Sequence, residues 1–293
     1  MSIELQDFGV AFGELVVLAS VDLTIRSPGI TVLVGPAGSG KSTLLRTLAG
    51  LNDAQPSLRV WGSAQLEGAP VSQDNRPTLV KQNVRLLSVS LRENLVSAIP
   101  NRSERTKSEQ DAVVEQALVS RGLSHLLTAM GKNVATLSLL DQRLISIIRS
   151  LLREPRALFV DEPMTGLSPE DANTLIQLLL DEAASRCVLV VTHNQRYAHA
   201  LSGNIALLGG GQIQAATTTE KFFANADDHP LVAEFLRTGR LGLPSPNANP
   251  RDLNPDAPKP AATTAVAAQT RSAPLAGGPR GFCWMIPDKL GGC

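Results

Sequence analysis

Long apolar runs are missing from this sequence. No stretch approaches the roughly 18 residues of a spanning helix, and no charged-then-apolar leader opens the chain, so neither a helical membrane protein nor a secreted one is expected. Cysteine is scarce: Cys187 lies in an apparent strand, and Cys283 and Cys293 lie near the C-terminus. An odd, scattered set offers no disulfide framework and points to a reducing compartment. Neither sign of charge dominates, because 27 acidic residues face 27 basic ones. Nothing therefore advertises nucleic acid or an anionic membrane surface as a partner.

What is present is enough chain, 293 residues, for one large or two small domains with a real core. Composition changes after Arg240. Residues 241–280 hold eight prolines, many alanines and almost no large apolar side chains, the composition of a disordered linker. The globular part is expected at 1–240. Residues 281–293, Gly-Phe-Cys-Trp-Met-Ile-Pro-Asp-Lys-Leu-Gly-Gly-Cys, regain apolar character but are too few to fold alone.

The most informative run is Gly-Pro-Ala-Gly-Ser-Gly-Lys-Ser-Thr at 35–43, which fits the phosphate-binding pattern G-x-x-x-x-G-K-S/T. A loop that wraps a triphosphate must turn several backbone N–H groups inward, and glycine tolerates the conformations and close approaches this needs. Gly35, Pro36, Ala37, Gly38, Ser39, Gly40, Lys41, Ser42 and Thr43 are thus the expected nucleotide contacts. Lys41 reaches the outer phosphates, and the Ser42 hydroxyl holds Mg²⁺. A buried strand at 30–34 and a helix at 42–49 flank the run, so the helix turns its positive end to the anion.

A second constellation lies further along the chain. Residues 156–163, Arg-Ala-Leu-Phe-Val-Asp-Glu-Pro, read as an apolar strand ending in two acids. Asp161 suits Mg²⁺, usually through water, and Glu162 suits the polarisation of an attacking water. Residues 187–193 read as another buried strand that delivers His193. In a parallel sheet the carboxyl ends of the strands collect the ligand site, so His193, Asp161 and the loop are expected to converge.

With these motifs in register over about 3–240, the chain resembles the nucleotide-binding subunit of an ATP-binding-cassette (ABC) transporter. That resemblance implies that Phe12 stacks on adenine. It also implies that Gln82, heading Gln-Asn-Val-Arg-Leu-Leu-Ser-Val-Ser-Leu-Arg-Glu-Asn-Leu, senses Mg²⁺ and the γ-phosphate for a membrane subunit, and that His193 is the switch histidine. Within the family, the segments at 51–62, 192–202, 219–229 and 235–239 are similar to those of phosphate-importer ATPases.

One element departs from the family. Its signature, Leu-Ser-Gly-Gly-Gln, closes over the ATP of a head-to-tail partner; here the matching residues are Leu137, Ser138, Leu139, Leu140 and Asp141. Branched side chains obstruct a close backbone approach. A carboxylate facing a phosphate costs about 4 kcal/mol per charge pair at about 4 Å and an effective dielectric near 20, less if it turns to water. Ser168 also stands where the family has aspartate. The tail from 281 is weakly similar to the opening strand of dual-specificity-type phosphatases. No Cys-x₅-Arg loop exists, since the sixth residue after Cys187 is His193 and the sixth after Cys283 is Lys289.

The expected fold is α/β: a P-loop NTPase, ABC-type cassette with a RecA-like core. An antiparallel β subdomain (1–30 and about 58–85), an inserted helical subdomain (about 88–155) and a disordered C-terminal tail complete it. The expected function is ATP binding and hydrolysis, with Mg²⁺, energising an importer from the cytoplasmic face of the membrane, with phosphate as the expected solute. The expected partners are permease subunits and a second ABC ATPase, itself or another, with no nucleic acid. A non-transport regulatory ATP-binding protein and a soluble translation or DNA-repair ATPase remain open alternatives.

Overall fold

In a computed structural model the chain is described at residues 2–82, 86, 89–224 and 228–247. The phosphatase-like tail, most of the expected linker, Cys283 and Cys293 lie outside the described residues. Two long strands, β1 (Ser2–Phe12) and β2 (Leu15–Arg26), form an antiparallel hairpin, and β3 (Gly29–Val34) leads into helix α1 (Lys41–Leu48). Strands β4 (Leu58–Leu66) and β5 (Ala69–Pro70) extend the antiparallel part beside β1. Strand β6 (Thr78–Val80) begins the other part. Residues 78–80, expected among the antiparallel strands, instead pair in parallel with β7 (Ala157–Asp161).

Between β6 and β7 lies a helical lobe of α2 (Leu91–Val96), α3 (Lys107–Val119) and α4 (Leu139–Leu151), with short 3₁₀ turns between them. Two capping boxes start its first helices. The Ser90 hydroxyl accepts from Glu93 N–H while Glu93 reaches back to Ser90, and Thr106 and Glu109 repeat the arrangement. The Ser-Leu-Arg-Glu-Asn run at 90–94 is therefore a helix start, with Asn94 fully buried and its amide donating to the Ser90 carbonyl. The helical run of α3 does not continue to 127. It breaks at Gly122, whose φ of 71° suits glycine, and resumes as a 3₁₀ helix at Ser124–Ala129.

The chain continues through α5 (Pro169–Ala183), β8 (Cys187–Val191), α6 (Gln195–Ala200), β9 (Asn204–Gly209), β10 (Gln212–Thr218), α7 (Thr219–Ala224) and α8 (Pro230–Thr238). Strand order in the described sheet is β5-β4-β1-β2-β10-β9-β3-β8-β7-β6. Period-2 alternation assigns the central strands' side chains to two faces. Ile30, Val32, Leu158, Val160, Val188 and Val190 join the core shared with α5 and the helical lobe. Leu33, Phe159, Leu189 and Val191 join the core shared with α1 and the antiparallel strands. A buried carboxylate clamps lobe to core: Glu182 on α5 lies 2.7 Å from Arg121 and 3.0 Å from Arg186.

Candidate nucleotide-binding site

The loop between β3 and α1 has the geometry that its glycines dictate. Gly35 has φ 152°, and a Cβ there would sit 2.1 Å from the Leu208 carbonyl oxygen. Gly40 has φ 99°, and a Cβ there would sit 2.7 Å from Leu18. No other residue fits either place without moving backbone or core. Lys41 folds back over the loop, its ammonium donating to the carbonyls of Gly35 (2.8 Å) and Pro36 (2.7 Å) and reaching Ser39 Oγ at 3.4 Å. It is buried, and desolvation holds its pKa below the ordinary lysine value, opposed by the nearby charges of Glu162 and Asp161.

Strand pairing sets the opposite side. Val191 of β8 pairs with Leu33 on one flank and with Asp161 on the other. The loop after β3, the acids ending β7 and His193 just beyond β8 therefore share one carboxyl edge. Asp161 is buried, and its Oδ1 has no hydrogen-bond partner. A buried carboxyl oxygen left without a partner calls for a donor or a cation beside it. Among the described residues no cluster of three or more His, Cys, Asp or Glu forms. Mg²⁺ takes one or two protein oxygens and fills its shell with water and phosphate. Asp161 and the hydroxyl of Ser42, the second residue of α1, are the oxygens that fit.

Glu162 has a left-handed backbone, φ 50°, and its N–H donates to the Val191 carbonyl at 2.9 Å. This strained placement fixes the carboxylate against the neighbouring strand, where Oε1 lies 2.9 Å from Nδ1 of His193. His193 is 68% exposed and Glu162 only 13%, so the imidazole faces the open side of the pair. Glu162, His193, Thr192, Asn194 and the 164–167 turn line a 250 Å³ cleft.

Other sequence-predicted residues lie further out. Gln82 is exposed, just past edge strand β6; several residues after it (83–85, 87 and 88) lie outside the described residues. Phe12 ends β1 half-buried, packed on the core beneath the antiparallel strands. The 360 Å³ cleft beside Pro36, Ala37, Gly38 and Ser39 is lined instead by Leu15, Val16 and Val17, and by residues of 241–247. Those seven residues, assigned by composition to the linker, pack against the fold.

The signature segment has its own arrangement. Ser138 caps α4, its Oγ accepting from Asp141 N–H at 3.0 Å. Leu140 turns inward onto the core while Leu139 is 41% exposed. Asp141, third in the helix, lies 3.1 Å from His125 Nε2. Helix start and histidine together account for a carboxylate at a position expected to face phosphate. Ser168 is likewise the cap of α5, accepting from Asp171 N–H.

A P-loop at the end of a parallel strand, on the same sheet edge as buried Asp161 and its neighbour Glu162, defines a P-loop nucleoside triphosphatase. The family model described as ABC transporter matches residues 18–165, and the chain belongs to this family of ATP-binding, ATP-hydrolysing proteins. The phosphate import ATP-binding protein PstB of Pyrobaculum aerophilum is 32% identical over 246 residues, covering 80% of this chain and 97% of that protein. PstB of Tropheryma whipplei (strain TW08/27) is 30% identical over 239 residues, covering 76% and 93%. A nucleotide-free ATP-binding cassette from an ABC transporter superposes with a TM-score of 0.66 at 22% identity, over 80% of this chain and 99% of that one.

Proposed function

We propose that this chain is the ATP-hydrolysing, energy-coupling subunit of a membrane importer whose solute is phosphate. The observation that carries the catalytic part is the convergence of Lys41, Asp161, Glu162 and His193 on one sheet edge. The importer and its solute rest on the relatives, which are named phosphate import ATP-binding proteins.

In this reading loop 35–43 takes the phosphates on its backbone N–H groups, and Phe12 with the 15–17 wall lies on the base side. Lys41 exchanges loop carbonyls for phosphate oxygens. Ser42 and Asp161 would hold Mg²⁺, with Gln82 as its sensor, and the bound ion would supply positive charge against the triphosphate. Glu162 orients and polarises the attacking water, and His193 stabilises the terminal phosphate from the open side. Permease subunits contact the chain near Gln82, which places it peripherally on the cytoplasmic face of the membrane. No described helix is long and apolar enough to cross the membrane.

The signature half is weak in the same reading. Ser138 remains, but Leu139 stands out where a flat glycine surface would meet a partner's ATP, and Asp141 brings negative charge. A self-paired dimer has two poor composite sites, whereas a partner with an intact signature gives one good site on this chain's Lys41 and Glu162. That signature is also the observation favouring a second reading, a regulatory protein that binds ATP as a signal.

The test is affinity purification of the full chain from detergent-solubilised membranes, with phosphate uptake measured in the same cells. Recovery of a polytopic membrane protein, and lower uptake on expressing Glu162→Gln, is expected. A chain that leaves the membrane fraction without a partner and does not alter uptake overturns the importer reading in favour of the regulator.

A further inference from the structure

After Gly239, which caps α8 with φ 69°, the chain turns back across the β9–β10 hairpin. Gly242 N–H donates to Glu234 at 2.8 Å, which pins the start of the turn. The hairpin's glycines then make room for the returning chain. A Cβ on Gly209 would lie 2.4 Å from Leu241 Cδ1, and one on Gly211 would lie 2.5 Å from Pro246 Cγ. Residues 241–247 are thus seated in a groove that larger side chains would fill.

The segment's last described residues lie beside loop 35–43. On the side away from β1, β2 pairs with β10 only at Ser20, which leaves the backbone of Val16 without a strand partner there. Asn247 supplies one. Val16 N–H donates to Asn247 Oδ1 at 2.8 Å, and the Asn247 amide donates back to the Val16 carbonyl. Leu243, Pro244 and Pro246 form one wall of the 360 Å³ cleft, with Val16 and Val17 on another and Pro36–Ser39 on the third.

In the proposed function the polar cleft of Glu162 and His193 takes the terminal-phosphate side, which leaves the base of a nucleotide held in loop 35–43 to the loop's other side. The cleft that adjoins the loop on the other side is this one. A carboxamide presents one donor and one acceptor side by side, as does the amino-and-ring-nitrogen edge of adenine. Asn247 and a purine cannot both occupy Val16.

We propose that residues 241–247 are an autoinhibitory strap, with Asn247 standing in for the purine edge at Val16, so that ATP binds fully only when the strap lifts. This rests on the assignment of loop 35–43 to a nucleotide. Apparent affinity is reduced by the fraction of chains with the strap down. The two bonds at Val16 are solvent-exposed and so individually modest.

The test is calorimetric titration of Mg-ATP, and separately of inorganic tripolyphosphate, into the full chain and its Asn247→Ala, Asn247→Asp and Lys41→Ala variants. Asn247→Ala is expected to bind ATP about threefold to tenfold more tightly than wild type, with tripolyphosphate affinity unchanged. Asn247→Asp, which keeps the acceptor for Val16 N–H and loses the donor, is expected to fall between. Unchanged or weaker ATP binding by Asn247→Ala, while Lys41→Ala still binds poorly, overturns the strap alone. An equal gain for tripolyphosphate overturns the purine mimicry. Equal ATP binding by wild type and Lys41→Ala overturns the nucleotide reading together with the strap.

Discussion

Glu162 Oε1 and His193 Nδ1 stand 2.9 Å apart, and the Glu162 backbone is itself tied to Val191, two residues before His193. One strand end thus positions both groups. Glu162→Gln keeps the shape and a hydrogen-bonding oxygen but removes the carboxylate proposed as the base, so ATP binding is expected within about twofold of wild type with hydrolysis lost. Stopped-flow binding beside phosphate release checks this. Sustained phosphate release by the variant would assign the base elsewhere.

Lys41 sets function against stability. Burial lowers its pKa, so the unfolded chain holds this proton more tightly than the folded one. The charged group then costs stability at neutral pH, and the cost is relieved as pH rises through its depressed folded-state pKa. Lys41→Met is therefore expected to unfold at an equal or higher denaturant concentration than wild type at pH 7, with that advantage shrinking in alkali. It is also expected to bind ATP at least about tenfold more weakly. Denaturant titrations at several pH values, beside calorimetry, read both. A variant much less stable at pH 7 would contradict the desolvation account.

Phe159 lies fully buried at the centre of β7, two residues before Asp161. Phe159→Ala is expected to cost about 3–5 kcal/mol of unfolding free energy and to loosen the acid edge with it. Equilibrium unfolding measures the loss; a cost under about 1 kcal/mol would show that this core collapses around the cavity.

Cys187 begins β8, fully buried, and burial pushes its thiol up to about 12. It is expected to resist alkylation at pH 8 in the native chain and to react once unfolded, as read by mass spectrometry of the peptide. Rapid native labelling would mean that β8 opens readily.

Much of the site was legible because its chemistry is local. Residues 35–43 and 161–162 each carry their role in a short run, and the short continuous apolar runs around 30–34, 157–161 and 187–191 read as buried strands. Three-residue β6 was harder, since so short a segment does not declare which sheet it joins. The strap left still less trace. Proline-rich composition reads as linker, and the contact that seats Asn247 is made to backbone atoms, which any sequence possesses. His125 was equally silent, because its meeting with Asp141 depends on how the lobe folds and not on spacing.

In the proposed function the chain's own half of an ATPase site is complete, while the half offered to a partner is not. Steady-state phosphate release from Mg-ATP, compared between the full chain and the triple variant Leu139→Gly, Leu140→Gly, Asp141→Gln in a proven head-to-tail dimer, tests that asymmetry. Trans-acting groups are worth about 10³–10⁵ in comparable phosphoryl transfers, so slow release by wild type and at least about a tenfold rise in the variant are expected. Brisk release by the unmodified homodimer, or no rise in the restored one, would contradict it.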